Sequence, residues 1–386
     1  SVAVAAGSSM VSSPVVTYLV SEATGVTLTA TLAGITRTAT LTVNPPSPGS
    51  GRSILVIAPH PDDEALIAAG RTRAAILAGH TVNVVVVTNG DLHGTSAGLV
   101  RQAESVAAAQ LLGLPEQNVV FLGYGDALMD QLWGAASGTT VYTSAAGQTA
   151  TYGNRGLGGM DFHRYRTGVA GAYNRDTVVS DFKELITYFQ PDEIYTTSYW
   201  DSHGDHSSTS RFVTEALIAL KNEQAAIPGV RVFQSIVWPP VTGPCFNNDW
   251  PLAIGTVLPY PPFTPPPCVV PSTSLDWAAI HKFPVPAEMQ APLPADNLKW
   301  QVIDAYASAD IVTYLRQFVR KDEFFWRYDF GTNLAHVAQV TVSSERVVND
   351  VGAKEDAVDG LAHPNDEWMS EGVVGEWIQL SWPSPV

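Results

Sequence analysis

Ser53–Ala58 is an apolar run broken by no charged residue, and it leads straight into His60-Pro61-Asp62-Asp63-Glu64. A run of that kind is expected of a parallel strand buried on both faces. The arrangement recurs at Glu193–Ser198, a second strand-like run followed by His203-Gly204-Asp205-His206. The chain has nine histidines, and three of them stand in these two clusters. Two runs of metal-ligand residue types, each following a buried strand, constrain the fold strongly. If the strands share one sheet, the clusters meet at its carboxyl edge, where open α/β sheets bind ligands.

The rest of the central region supports such a sheet. Glu64–Gly79 reads as helix with Gly79 as C-cap, Thr81–Thr88 as a second buried strand, and Leu99–Gly113 as helix. Asn118–Leu122 reads as a short strand, Asp176–Phe189 as a helix stopped by Pro191, and Ser207–Ile218 as a helix. This alternation predicts an α/β fold, doubly wound, with a mostly parallel sheet and helices on both faces, over residues 52–329. Two long Gly/Pro/Ser-rich insertions, near 127–172 and 239–297, interrupt it, and loops of that length are usually functional. Their aromatics, Trp133, Tyr142, Trp250 and Tyr260, either line a groove or pack within their own loops.

The flanks read differently. In residues 1–45, Val26, Leu28, Ala30 and Leu32 alternate with threonines, and Ala39, Leu41 and Val43 repeat the pattern after Ala33-Gly34. That predicts a hairpin with threonine on its wet face. It resembles the last strands of a bacterial immunoglobulin-like repeat. Residues 46–51 form a proline-stiffened linker. From 330 to 386, segments such as Val340–Ser344 and Trp377–Trp382 suggest new β structure. Their order resembles the first half of a discoidin-like, galactose-binding β-sandwich.

Composition narrows the function classes. A formal charge of −16 disfavours nucleic acid and anionic membranes as partners, because phosphate binding needs a clustered basic surface. No apolar stretch reaches the length of a membrane span. The two cysteines, Cys245 and Cys268, lie in a Pro-rich stretch. A disulfide between them suits an exported protein, and two unpaired thiols are the alternative. A secreted or cell-surface location is the expectation.

The two clusters suggest a mononuclear metal site with two imidazoles, one carboxylate and an open position for water, the ligand count of catalytic zinc sites. Fe2+, Co2+ or Mn2+ suit the same nitrogen and oxygen donors. Read singly, His60–Glu64 is also a turn with a helix cap, and His203–His206 a polar loop before a helix.

The residues also carry a family resemblance. Pro59–Glu64 and His203–His206 resemble the paired motifs of the LmbE-like, or PIG-L, N-acetylglucosaminyl deacetylases, which have a Rossmann-like domain. Arg101-x-x-Glu104 with Leu112-Gly113, Phe121–Asp126, Lys299, Tyr306-Ala307-Ser308 and Glu323–Trp326 are similar to other parts of that family. The resemblance implies His60, Asp63 and His206 as zinc ligands and Asp62 as general base. It implies His203, paired with Asp205, as the acid or electrostatic residue, and Arg101 and Asp126 as contacts to sugar hydroxyls. Arg101 paired with Glu104, and Asp126 as a turn residue, are the plainer alternatives. The loop Tyr199-Trp200-Asp201-Ser202 departs from the Gly-rich run of some members. The implied activity is removal of acetyl from an N-acetylated sugar or glycan, with surface polysaccharide a further partner through the flanking β segments. An amidase on another glycoconjugate amide, and a catalytically silent carbohydrate-binding surface protein, are the competing readings.

Overall fold

The computed structural model describes residues 24–32, 34–43, 51–223, 229–238, 277–309, 312–329, 339–346 and 376–381. Cys245, Cys268, Trp250, Tyr260 and most of 330–386 lie outside the described residues. The chain divides into two units.

The first unit carries strands β1 (Thr24–Leu32) and β2 (Ile35–Val43), paired antiparallel from Thr24↔Val43 to Leu32↔Ile35. A two-residue connection joins them. Gly34 sits there at φ 80°, a conformation glycine reaches without a Cβ clash. Thr27, Thr29 and Thr31 are exposed, as the alternation predicts.

The second unit holds a seven-stranded sheet. In chain order its elements are β3 (Ser53–Ala58), α1 (Asp63–Leu77), β4 (Thr81–Thr88), α2 (Thr95–Leu111), β5 (Val119–Tyr124), α3 (Met129–Trp133), α4 (Phe162–Thr167) and α5 (Arg175–Phe189). There follow β6 (Glu193–Thr197), α6 (Gly204–Asn222), β7 (Arg231–Ser235), β8 (His281–Pro284), α7 (Leu298–Asp304), α8 (Val312–Leu315) and β9 (Asp322–Asp329). The strand order is β5-β4-β3-β6-β7-β9-β8, parallel through β7 and antiparallel at β9 and β8. The expected α/β, doubly wound, mostly parallel sheet is therefore present. A separate antiparallel pair, β10 (Gln339–Val342) with β11 (Ile378–Ser381), is what the described residues show of the C-terminal region. Among the described residues no helix is long and apolar enough to cross a membrane.

The two-residue period of a strand explains the layers. Ile54 and Val56 face one core with Val82, Val84 and Val86, beneath α1, α2 and α7. Leu55 and Ile57 face the other with Val85 and Val87, beneath α5 and α6. Gly70 lets α1 sit close on its side, since a Cβ there would lie 2.5 Å from Val285 Cγ1. Under it runs a buried ion pair, Lys299 Nζ to Glu323 Oε1 at 2.5 Å, whose carboxylate also accepts the Gly70 and Arg71 backbone N–H groups.

Several expected boundaries shift. The helix read from Leu99 begins at Thr95 and the one read from Ser207 begins at Gly204. The second insertion is not all loop, for it supplies β8 at the sheet edge. The first insertion packs onto the body of the fold. Phe162 is fully buried, and Trp133 meets Phe212 edge-on at 5.1 Å with Arg175 and Arg211 over its ring.

The order of strands decides where the site lies. From β3 the chain winds outward through β4 to β5, and on the other side from β6 to β7. β3 and β6 are neighbours, paired from Ile54↔Glu193 to Ile57↔Thr196, so the winding reverses between them. A crevice opens outside the carboxyl ends of strands at such a switch point. Both motifs follow these two strands.

Candidate active site and metal centre

The turn after β3 is tied down on all sides. Pro59 O accepts from Thr88 N of β4, and Asp62 O accepts from Ala65 N and Leu66 N to start α1. Asp62 has φ 126°, a conformation costly for a residue with a side chain. Glu64 holds it there. Its Oε2 accepts the Asp62 N–H at 3.0 Å and its Oε1 accepts the Tyr306 hydroxyl at 2.5 Å. The strained turn directs adjacent carboxylates to different partners: Asp63 to His60 and His206, Asp62 to Arg101.

Three donor atoms converge there. His60 Nδ1 lies 3.1 Å from Asp63 Oδ2 and 3.1 Å from His206 Nε2, and His206 Nε2 lies 3.2 Å from Asp63 Oδ2. Ligands held about 2.0–2.1 Å from a tetrahedral zinc ion stand roughly 3.3 Å apart, so this nearly equilateral triangle fits one. All three side chains are buried. Two further donor sets include His60, one with His203 and His206 and one with Asp126 and Asp205. The second lies on the far ring nitrogen. There His60 Nε2 is 3.0 Å from Asp205 Oδ2 and 3.2 Å from Asp126 Oδ1. Asp205 is already committed, accepting the Ala127 N–H through Oδ2 and the Met129 N–H through Oδ1. This is the pattern of a supporting carboxylate, which fixes a proton on one ring nitrogen and leaves the other as donor.

The expected pairing of Asp205 with His203 is thus not formed; Asp205 pairs with His60. Asp205 lies in the first turn of α6, where its oxygens reach His60 and the 127–129 backbone. Among the described residues, His203 Nδ1 is buried with no hydrogen-bond partner. Burial, with His206 and His60 beside it, pushes His203 down to about 4. Its ring stands edge-on to His60 at 4.8 Å and tilted to His206 at 4.6 Å.

Arg101 is not paired with Glu104, which instead binds Ser308. Its guanidinium reaches Asp62 Oδ2 at 2.9 Å and Pro61 O at 2.6 Å. Asp126 is more than a turn residue. It faces His60, and its backbone N–H is held by Asp91, which Tyr152 of the first insertion braces in turn.

Burial pushes the Asp62 carboxyl up to about 7, with Asp63 adding to the rise and Arg101 opposing it. Burial works the same way on Asp63 and Asp126, but their histidine neighbours win. Asp63 falls well below the carboxylate range, and Asp126 to about 2. His206 is raised to about 10 by Asp63 and Asp201 despite its burial.

These groups floor an open cleft. One wall is apolar, built from Leu66, Val237, Trp238, Tyr314 and Leu315, with Leu92 also lining the cleft. Trp238 and Tyr314 stack at 4.5 Å with an interplanar angle of 8°. Sequence reasoning sought this wall in the insertions, yet Trp133 and Tyr142 pack against the core beside α5 and α6. It also missed Asp201, whose carboxylate stands 3.2 Å from His206 Nδ1.

Comparison with known proteins agrees in extent with this geometry. Residues 55–217 match the PIG-L family, described as GlcNAc-PI de-N-acetylase. The matched span runs from β3 into α6 and so includes both motifs. Among solved structures, an N,N'-diacetylchitobiose deacetylase from Pyrococcus horikoshii is similar at 16% identity and TM-score 0.42, covering 72% of this chain and 84% of that one. A conserved protein from Thermus thermophilus is 17% identical with TM-score 0.39, over 71% of this chain and 94% of that one. A deacetylase solved with teicoplanin is 17% identical with TM-score 0.40, over 72% and 98%. No curated protein matches the chain.

Proposed function

We propose that this chain is a metal-dependent N-deacetylase, most simply a zinc enzyme, that removes acetyl from an N-acetylated amino sugar or glycan. The observation that carries the proposal is the His60–Asp63–His206 donor triangle beside a separate, strained carboxylate, Asp62, in one cleft. The family match over both motifs supports it. His60, Asp63 and His206 would hold the ion, with Fe2+, Co2+ and Mn2+ as chemically acceptable substitutes. Zinc bound there supplies Lewis acidity, lowering the pKa of a water and polarising an amide carbonyl.

The remaining steps belong to the chain's own residues. Asp62 titrates near neutrality and is held by Arg101, which suits a general base that takes a proton from water and returns it to the departing amine. His203, neutral and beside the donor triangle, offers a hydrogen bond to charge developing on the carbonyl oxygen. Asp205 orients His60. Arg101 and Asp126 first position Asp62 and His60, and meet sugar hydroxyls with the edges that face the cleft. An extracellular setting, with the β segments on either side touching polysaccharide, completes the proposal.

The test is acetate release from a panel of N-acetylated sugars, with and without chelator. Release that chelator stops and zinc restores is the expected result. Sugar binding without release would favour a silent binding protein. Release confined to other glycoconjugate amides would move the substrate assignment.

A further inference from the structure

We infer that Asp201 is a positioning residue that keeps the His206 proton on Nδ1, leaving Nε2 as the metal donor, and that joins this histidine to the cleft wall at Trp238. The inference rests on the proposed metal centre. The Asp201 side chain is fully excluded from solvent. Its Oδ1 accepts the His203 N–H at 3.0 Å, while its Oδ2 accepts the Val237 N–H at 2.7 Å and the Trp238 N–H at 3.0 Å. The same Oδ2 lies 3.2 Å from His206 Nδ1, at an ion-pair separation rather than in a well-aligned hydrogen bond. Among the described residues no hydrogen bond is made to that nitrogen. On the front of the ring, Nε2 faces His60 and Asp63.

One buried carboxylate therefore holds two histidines of the motif and two residues that line the wall. Its backbone bonds alone would make it a loop brace. Its place behind His206 gives it a second effect, because an anion beside Nδ1 favours a proton there and strengthens Nε2 as a donor. His60 has the same support from Asp205, so each imidazole of the donor triangle is backed by its own aspartate.

The two roles separate by experiment. Asp201→Asn keeps the shape and removes the charge; with the amide oxygen in the Oδ2 place, its NH2 group gives up only the bond from the His203 N–H. Ser198→Ala loosens the same loop, since Ser198 Oγ accepts the Trp200 N–H, without touching His206. Zinc affinity is measured on the purified full chain by competition with a chromophoric chelator. The expected result is a loss of roughly 10–100-fold for Asp201→Asn and none for Ser198→Ala. Equal affinity in Asp201→Asn and wild type, or equal losses in both variants, overturns the inference. Wild type that binds no zinc overturns the metal centre itself and this inference with it. If Asp201→Asn does not fold, long-range proton–nitrogen NMR of zinc-loaded wild type decides. A proton on His206 Nδ1 supports the inference, and a proton on Nε2 overturns it.

Discussion

The two edges of the parallel sheet both bury charge, and they do it in opposite ways. At the amino edge, Glu193 opens β6 and is met by Arg52 at 2.5 Å, Arg71 at 2.9 Å, Arg231 at 2.8 Å and the Tyr195 hydroxyl at 2.7 Å. Cations outnumber the carboxylate, Arg71 lies over the Tyr195 and Phe283 rings, and Glu193 sits below its ordinary pKa despite burial. At the carboxyl edge, Asp62, Asp63, Asp126, Asp201 and Asp205 are buried around three histidines and one arginine. That edge also contains the strained Asp62 and the unpartnered His203 Nδ1. Charge buried with full compensation adds little net stability, but removing one partner from it is costly. Carboxylate in excess, with donors spaced for an ion, suits a site that takes up a cation.

The sharpest way to break this contrast is at the carboxyl edge. His206→Ala is expected to lose zinc and all measurable acetate release, and full metal occupancy by elemental analysis would remove His206 from the ligand set. Asp62→Ala should keep its zinc while turnover falls by about 10²–10⁴-fold. Near-normal turnover would end its assignment as base.

Next in size is the compensated pair under α1. Lys299→Met leaves Glu323 charged and buried without its cation, which should cost about 3–5 kcal/mol in urea unfolding. Zinc affinity should not change, and a parallel loss would show that the two regions are coupled.

The smallest effect belongs to Glu193. Its folded-state pKa is lowered, so its contribution is complete above the unfolded value of about 4.3 and lost as pH falls through the folded value. Glu193→Gln should therefore flatten the pH dependence of stability below about pH 4.3 and leave its slope near neutrality unchanged. An unchanged acid limb would mean that Glu193 titrates alike folded and unfolded.

The legible parts share a physical reason. Ser53–Ala58 and Thr81–Thr88 are covered on both faces along most of their length, so burial writes a largely apolar run, interrupted in the second by Asn83. The start of α2 was not legible, because Thr95-Ser96-Ala97-Gly98 has no apolar period and Gly94 offers no side-chain cap. Asp201 was hidden for another reason. An acid in a polar loop looks ordinary until Val237 and Trp238, 36 and 37 residues later, bring their N–H groups to it. The cleft wall had the same difficulty, since Trp238 and Tyr314 become neighbours only through the sheet.

By itself the sequence determined the α/β alternation and both motifs, because strand burial and ligand chemistry are written in adjacent residues. The tertiary structure decided which histidine each aspartate serves, giving Asp205 to His60 and Asp201 to His206. The first pairing depends on β3 and β6 lying side by side, and both depend on the orientation of each ring, which local sequence does not encode.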